Sequence, residues 1–266
     1  MKITVFTSNQ RRHLDLCNSL RGVASELNVV LESLTLFPGQ VSDFYKKSDT
    51  MQEYFGKVIE SEKKIFGETP SPLSADRVYP LRAGDLNFIT PDNISDALDA
   101  DIYLVFGGSW IRGWLIDFLI ENKAINIHMG MSPWYRGAAC NFWASHDSNF
   151  HLVGATIHYI DKGLDTGGMI CHVRPSIEGC SNTFDFTMKS VWSAHQALSS
   201  MIGTQDLFDL PSIPQSKALE IKYTRNEVFT DSVAREWLDN EPSMEAVQQQ
   251  LLEHEETDIF HNLKII

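Results

Sequence analysis

Three side chains of the sequence have the chemistry of an acyl-transfer site, namely an amide, an imidazole and a carboxylate. Asn126 and His128 are two residues apart, so they point to the same face if 124–128 is an extended strand. An amide N–H group can hold an oxyanion, and an imidazole can take or give a proton near neutral pH. Asp165 lies in a glycine-flanked loop, where its carboxylate can orient the imidazole and stabilise its charge. We predict that these three residues are catalytic, although each motif taken singly is more often a polar strand end or a turn.

The segments around these residues resemble the signature of a known family. They are, in chain order, Asn126-x-His128, Tyr135-Arg136-Gly137, Gly154-Ala155-Thr156-Ile157-His158 and Leu164-Asp165-Thr166-Gly167. In this order and at these spacings they resemble the 10-formyltetrahydrofolate-dependent formyltransferases, which act on glycinamide ribonucleotide, methionyl-tRNA or amino sugars. The resemblance implies that this chain moves a formyl group and that it needs no metal.

The order of predicted elements favours an α/β fold. Lys2–Thr7 reads as a buried strand that leads through a polar turn into a helix, and 101–106 reads as a central strand. This pattern predicts a doubly wound, mostly parallel, Rossmann-like sheet. A long amphipathic helix is predicted over Val41–Phe66. It either covers the sheet or forms a subunit contact, and the second alternative would make the protein a homodimer. The composition changes at Pro211, which predicts a catalytic domain over residues 1–210 and a small C-terminal extension over 211–266.

Composition and charge narrow the class of protein. The net charge of −13 argues against a nucleic-acid surface, and the extension is too short and acidic to resemble the RNA-binding β-barrel of the methionyl-tRNA enzymes. The four cysteines form no Cys-x-x-Cys pair, which suits buried thiols better than zinc or disulfides. The sequence contains no uninterrupted apolar run long enough for a membrane span and no signal peptide, so we expect a cytoplasmic protein.

Two polar segments are candidates for binding the acceptor. The turn after the first strand lies where helix N-termini hold anions in α/β sheets, although a solvated turn with surface arginines is an equal alternative. It lacks the glycine-rich loop of the purine enzymes. Arg136 suits an anionic group of the acceptor, or else it pins backbone carbonyls. The predicted acceptor-binding residues are Ser8, Asn9, Arg11, Arg12, Tyr135, Arg136 and Gly137.

The resemblance also implies where folate binds. In the family the loop after the central strand lines the folate pocket and meets the pteridine through backbone groups, and glycines without a Cβ allow that approach. The implied donor-binding residues are Phe106, Gly107, Gly108, Ser109, Trp110, Ile111, Asp161 and Gly163, with Trp110 alternatively in the core. His158, on the same strand face as Thr156, is implied to lie near the reaction centre and not at it.

The resemblance then assigns roles and a substrate class. Asn126 would hold the formyl oxygen, His128 would stabilise the developing charge and move protons, and Asp165 would orient His128. Because the purine and tRNA branches are disfavoured, the acceptor left by elimination is a nucleotide-linked amino sugar, as in lipopolysaccharide biosynthesis. The alternatives are a 10-formyltetrahydrofolate hydrolase, a formyltransferase for another small amine such as glycinamide ribonucleotide, and a non-catalytic folate- or nucleotide-binding protein.

Overall fold

The structure is a computed structural model. It describes residues 1–34, 41, 43–67, 73–163, 165–254 and 259–266. The turn that the sequence predicts at 38–40, the helix break predicted at 69–72 and Leu164 of the fourth motif lie outside the described residues.

A mixed β-sheet forms the centre of the molecule. Its strands are β1 (Lys2–Ser8), β2 (Glu26–Ser33), β3 (Arg77–Arg82), β4 (Ile102–Phe106), β5 (Ile125–His128), β7 (Ala155–Tyr159), β8 (Met169–Arg174) and β10 (Lys264–Ile265). In the described part of the chain these eight strands have the order β10-β8-β7-β5-β4-β1-β2-β3. β7 is antiparallel to β5 and β8, and the other neighbours in the sheet are parallel. The predicted mostly parallel α/β fold is confirmed.

Helices cover both faces of this sheet. They are α1 (Arg11–Leu20), α2 (Asp49–Phe66), α3 (Trp114–Glu121), α4 (Cys140–His146), α5 (Thr183–Thr204), α6 (Asp231–Asn240) and α7 (Met244–Glu253). Side-chain alternation along β1 explains the arrangement, because Ile3 and Val5 are buried with α1 and α5 whereas Phe6 is buried with α3. Within the described ranges, no helix is both long and apolar enough to cross a membrane.

The predicted helix over Val41–Phe66 is shorter than expected. It begins at Asp49, because the Ser48 side chain caps it by accepting a hydrogen bond from the Met51 N–H at 3.2 Å. Residues 44–46 form a separate turn of 3₁₀ helix. The apolar spacing in the sequence continues on the N-terminal side of Ser48, so it did not show where the helix begins.

The C-terminal residues are integrated with the rest of the chain. A short strand β9 (Lys222–Thr224) pairs in parallel with β6 (Tyr135–Gly137), and β10 extends the main sheet beside β8. α6 packs on α2. The boundary between a catalytic domain and an extension at residue 210 stays a prediction, because residues on its two sides pack against each other.

His172 on β8 ties two parts of the chain together. Its Nε2 donates to the Ser132 carbonyl at 2.7 Å, and its Nδ1 accepts from the His261 N–H at 3.0 Å. This pattern requires a neutral ring. Burial lowers the pKa of His172 to about 4, although the hydrogen bond to Ser132 acts in the opposite direction.

We predict that His172 makes the fold acid-sensitive. The unfolded chain takes up a proton at this residue below about pH 6.5, whereas the folded chain does so only near pH 4, so the free energy of unfolding falls across that window. The loss at pH 5 is about 2 kcal/mol. Urea unfolding at pH 7 and pH 5 checks this against His172→Gln, which keeps a neutral donor and acceptor. An equal loss in both proteins would exclude His172 as the cause.

Candidate active site

The three predicted catalytic residues line one cavity. It has a volume of about 1060 Å³ and is lined by Asn126, His128 and Asp165, among others. β4 and β5 pair with Val105 opposite Asn126, and β5 and β7 pair with Asn126 opposite His158. The cavity therefore lies where the carboxyl ends of β4 and β5 meet, which is the usual ligand position in such sheets.

His128 lies between a carboxylate and a carbonyl. Its Nδ1 is 3.3 Å from Asp165 Oδ2, and its Nε2 is 3.2 Å from the carbonyl oxygen of Tyr135. A carbonyl oxygen only accepts hydrogen bonds, so Nε2 carries a proton and donates it there. Asp165 is thus placed to orient the ring and to stabilise positive charge on it.

His158 fixes the amide of Asn126. The Nδ1 of His158 donates to the Tyr159 carbonyl at 2.7 Å, which leaves its Nε2 to accept from Asn126 Nδ2 at 3.1 Å. Burial lowers the pKa of His158, against the raising effect of the Asp165 charge, so the ring stays neutral. The other amide hydrogen of Asn126 faces Asp165 Oδ1 at 3.4 Å. That longer contact is the one a substrate oxygen can replace.

Thr156 holds the loop that follows His128. Its Oγ1 donates to the Gly130 carbonyl at 2.7 Å and accepts from the Ser132 N–H at 2.8 Å. Gly130 itself is enclosed, because a Cβ there would lie 2.7 Å from His128 Nε2. Thr156 therefore fixes the backbone that follows His128 and is not among the residues that line the cavity.

Asp161 and Gly163, which the resemblance assigns to the donor site, support the loop that carries Asp165 and are not among the residues that line the cavity. Asp161 Oδ1 accepts from the Gly163 N–H at 3.0 Å and from Thr166 Oγ1 at 2.5 Å. Asp165 has φ of +51°, in the left-handed region. A Cβ on Gly167 would lie 1.8 Å from the Tyr159 carbonyl oxygen, so the loop lies directly on β7.

The predicted donor loop divides into cavity-lining and supporting positions. Phe106, Gly107 and Gly108 line the cavity. Ser109 donates its backbone N–H to Glu32 Oε2 at 2.6 Å, Ile111 is buried in the core, and Trp110 is 67 % exposed and therefore not a core residue. Gly107 has φ of +68°, and a Cβ there would collide with the His13 ring.

Of the predicted phosphate-binding residues, Arg12 lines the cavity. Its Nη1 donates to Glu62 Oε1 at 2.9 Å. Ser8 contacts His13 Nδ1 at 2.5 Å, Asn9 Oδ1 accepts from the Leu34 N–H at 2.9 Å, and Arg11 is buried. The structure does not bring these last three side chains to the cavity.

The predicted Tyr135-Arg136-Gly137 segment contributes mainly backbone. Its first residue supplies the carbonyl that accepts from His128 and donates its hydroxyl to Asp147 Oδ2 at 3.0 Å. Arg136 Nη1 donates to Glu220 Oε2 at 3.0 Å, which favours the structural alternative for this arginine. Gly137 lines the cavity, and a Cβ there would lie 2.1 Å from the Thr224 carbonyl oxygen.

An aromatic wall, which sequence reasoning missed, closes another side of the cavity. Its members are Tyr54 and Phe55 of α2, Phe142 of α4, Phe229, and Trp237 of α6. The rings meet edge to face, with centroids 5.0 Å apart for Tyr54 and Phe229 and 4.7 Å apart for Phe142 and Phe229. The stripe on α2 was visible in the sequence and is indistinguishable there from core, whereas Phe229 and Trp237 reach the cavity only through long-range packing.

The remaining lining includes two cations and a cysteine. Arg12 and Lys47 contribute positive charge. Burial raises the pKa of the Cys140 thiol, so this side chain lines the cavity in its neutral form. Within the described ranges, no group of three or more His, Cys, Asp or Glu side chains is arranged to hold a metal ion.

Part of this chain matches a known protein family. Residues 97–202 match the family described as formyl transferase. This segment contains Asn126, His128 and Asp165, so the resemblance predicted from the motifs is confirmed.

Solved structures share the fold at low sequence identity. A sugar N-formyltransferase from Shewanella is 12% identical with a TM-score of 0.52, covering 100% of this chain and 92% of the other. An N-formyltransferase from Helicobacter canadensis, in complex with folinic acid and dTDP-3-aminofucose, is 13% identical with a TM-score of 0.50, covering 86% and 73%. Phosphoribosylglycinamide formyltransferase from Anaplasma phagocytophilum is 16% identical with a TM-score of 0.50, covering 77% and 88%.

We predict that Gly167→Ala displaces the Asp165 loop. The new Cβ would overlap the Tyr159 carbonyl oxygen, so the free energy of unfolding should fall by about 1–3 kcal/mol. Gly56→Ala is the matched control, because that glycine lies inside α2 with no atom within 4 Å of an added Cβ. The control should be more stable than wild type by up to about 1 kcal/mol. Urea unfolding that shows Gly167→Ala as stable as wild type would contradict the tight fit.

Proposed function

We propose that this protein transfers a formyl group from 10-formyltetrahydrofolate to a primary amine. The observation that carries the proposal is the convergence of Asn126, His128 and Asp165 in one cavity, within a segment that matches the formyl transferase family. The cavity, at about 1060 Å³, lies at the upper end of the roughly 300–1,000 Å³ typical of small-molecule pockets. It therefore has room for the reacting ends of two substrates.

The residues have separate tasks in this reaction. The folate donor supplies an electrophilic formyl carbon, which an unprotonated amine attacks. Asn126 turns the amide hydrogen that faces Asp165 to the formyl oxygen as negative charge develops there, a type of contact that contributes about 3–4 kcal/mol. The Nε2–H of His128 donates to the same oxygen once it turns from the Tyr135 carbonyl.

Proton transfer is assigned to His128 and Asp165. The amine loses a proton as it is acylated, and the folate nitrogen gains one as it leaves. Asp165 lies 3.3 Å from His128 Nδ1 and faces the Asn126 amide, so it is placed to relay this proton and to stabilise the imidazolium meanwhile. His158 keeps Asn126 in position throughout.

The acceptor we propose is a nucleotide-linked amino sugar. The cavity combines the cations Arg12 and Lys47, which suit a diphosphate, with an aromatic wall, which suits a sugar or base face. The complex of the Helicobacter enzyme with dTDP-3-aminofucose gives a precedent in this fold. Glycinamide ribonucleotide is the second candidate, because the Anaplasma enzyme shares the fold, but the glycine-rich loop of the purine enzymes is absent here.

We also propose a domain organisation, a cellular location and an oligomeric state. We place the catalytic domain at residues 1–210, with 211–266 as an extension that completes the cavity through Phe229 and Trp237. We place the enzyme in the cytoplasm, since the cysteines are free, and its product in glycans such as lipopolysaccharide. Homodimer formation, with the exposed part of α2 as the contact, belongs to the same proposal.

We predict that Asp165→Asn lowers kcat at least about a thousandfold, because the imidazole loses its charged partner. The assay follows release of tetrahydrofolate from 10-formyltetrahydrofolate with a panel of nucleotide-linked amino sugars. His128→Gln should lower kcat to a similar extent. The control is Asp206→Asn, because Asp206 is an exposed carboxylate that does not line the cavity. Near-wild-type turnover by Asp165→Asn at unchanged thermal stability would refute the assignment, and turnover with water alone would favour the hydrolase.

We also predict that Arg12→Gln raises the KM of the acceptor about tenfold while leaving the KM of the donor unchanged. The reason is loss of a charge-assisted contact to an anionic group. Arg21→Gln is the matched control, because Arg21 follows the end of α1 and pairs with Asp76. Equal acceptor KM values in the two variants would remove Arg12 from the binding site.

A further inference from the structure

A side chain of the protein itself occupies the position at the start of α1 where an anion would bind. Glu62 Oε1 accepts from the backbone N–H of Arg12 at 3.2 Å and from Arg12 Nη1 at 2.9 Å. The Glu62 side chain is 3 % exposed. Arg12 lines the cavity, whereas Glu62 is not among the lining residues. A carboxylate therefore already uses two of the donors that a phosphate at this helix start would need.

The position of Glu62 follows from the periodicity of α2. Tyr54 and Val58 line the cavity, and Glu62 lies four residues after Val58 on the same side of the helix, where α2 packs on α1. The first turn of α1 contains no acidic residue, and its N-cap, Gln10, makes no side-chain capping hydrogen bond. Glu62 thus supplies, from a neighbouring helix, the negative charge that a helix N-terminus favours.

This ion pair changes the electrostatics of the cavity wall around Arg12. The Glu62 carboxylate compensates the charge of the guanidinium, and it repels an incoming anion in proportion to the charge of that anion. A terminal phosphate carries roughly two negative charges near neutral pH. Each phosphoryl group of a nucleotide-linked sugar is bonded through two bridging oxygens and carries only a single charge, so Glu62 repels it less.

Arg12 keeps donors for a singly charged group. A guanidinium has five N–H groups, and Arg12 Nη1 gives one of them to Glu62. We propose that Glu62 is a specificity-determining residue, which excludes acceptors with a terminal phosphate from the start of α1 and leaves Arg12 for the diphosphate of a nucleotide-linked sugar. Specificity then comes from repulsion of the wrong acceptor as well as from contacts with the right one.

The inference rests on the proposed function and deepens it. Glycinamide ribonucleotide, the second candidate acceptor, ends in a terminal phosphate, whereas the phosphates of a nucleotide-linked amino sugar lie between the nucleoside and the sugar. The carboxylate of Glu62 at the start of α1 therefore gives a physical reason for preferring the nucleotide-linked sugar.

Titration calorimetry with inorganic phosphate, at about pH 8 where it is mainly a dianion, tests the proposal. Glu62→Gln keeps the shape of the side chain and removes its charge, so this variant should bind phosphate at least about tenfold more tightly than wild type. Glu62→Ala should gain affinity in the same direction, which keeps the test valid if one variant fails to fold. UDP-glucose, a diphosphate-linked sugar without an amine, should gain less than about threefold in either variant.

Asp185→Asn is the matched control. Asp185 is 2 % exposed and accepts a hydrogen bond at 2.7 Å from Ser61, the neighbour of Glu62 on α2. The substitution changes the net charge by the same amount, but Asp185 pairs with Lys64 and not with Arg12. The phosphate affinity of this variant should equal that of wild type.

The remaining outcomes separate this inference from the proposed function. Unchanged phosphate affinity in the Glu62 variants overturns the inference, and so does an equal gain in Asp185→Asn, because net charge alone would then explain the effect. Equal gains for phosphate and UDP-glucose overturn the selectivity. The phosphate titration involves neither folate nor formyl transfer, so it is decided independently of the proposed function. Failure of the wild-type protein to bind UDP-glucose would instead refute the proposed acceptor.

Discussion

The contact between His128 Nδ1 and Asp165 Oδ2, at 3.3 Å, is the interaction on which the candidate site depends. It joins residues that are far apart in the chain, and several features of the fold serve to make it. β7 runs antiparallel to β5 and ends opposite Ile125, at the start of β5, so the loop that follows β7 has to turn back for Asp165 to reach His128. The glycine at 167 lets that loop lie on β7, and the left-handed backbone at Asp165 turns its carboxylate toward the imidazole.

Hydrogen-bond directions around this contact form a consistent set. His158 must be neutral to donate to the Tyr159 carbonyl and accept from Asn126, and its burial favours that form. If His158 took up a second proton, it would release the Asn126 amide and place a like charge beside His128. The site therefore separates two imidazoles by role, since one is held neutral as a support and the other faces a carboxylate and can carry charge.

The parts that could be predicted from sequence are local ones. Strand alternation placed Asn126 and His128 on one face, and the strand-turn-helix opening gave the α/β class. The binding side chains were harder to place, because their positions depend on partners distant in the chain. Arg136 looks like a phosphate ligand until Glu220 is seen beside it, and Phe229 reaches the cavity through packing that no local pattern reports. The helix over Val41–Phe66 was predicted from apolar spacing, but its start depends on the cap at Ser48.

Product analysis of the wild-type protein tests the central claim most directly. The protein would be incubated with 10-formyltetrahydrofolate and a nucleotide-linked amino sugar such as dTDP-3-aminofucose, and both products would be quantified by mass spectrometry. Formyl transfer predicts equal amounts of tetrahydrofolate and N-formylated sugar, with neither formed when the amine is left out. Tetrahydrofolate and formate that accumulate together in equal amounts, at the same rate with and without the amine, would contradict the account.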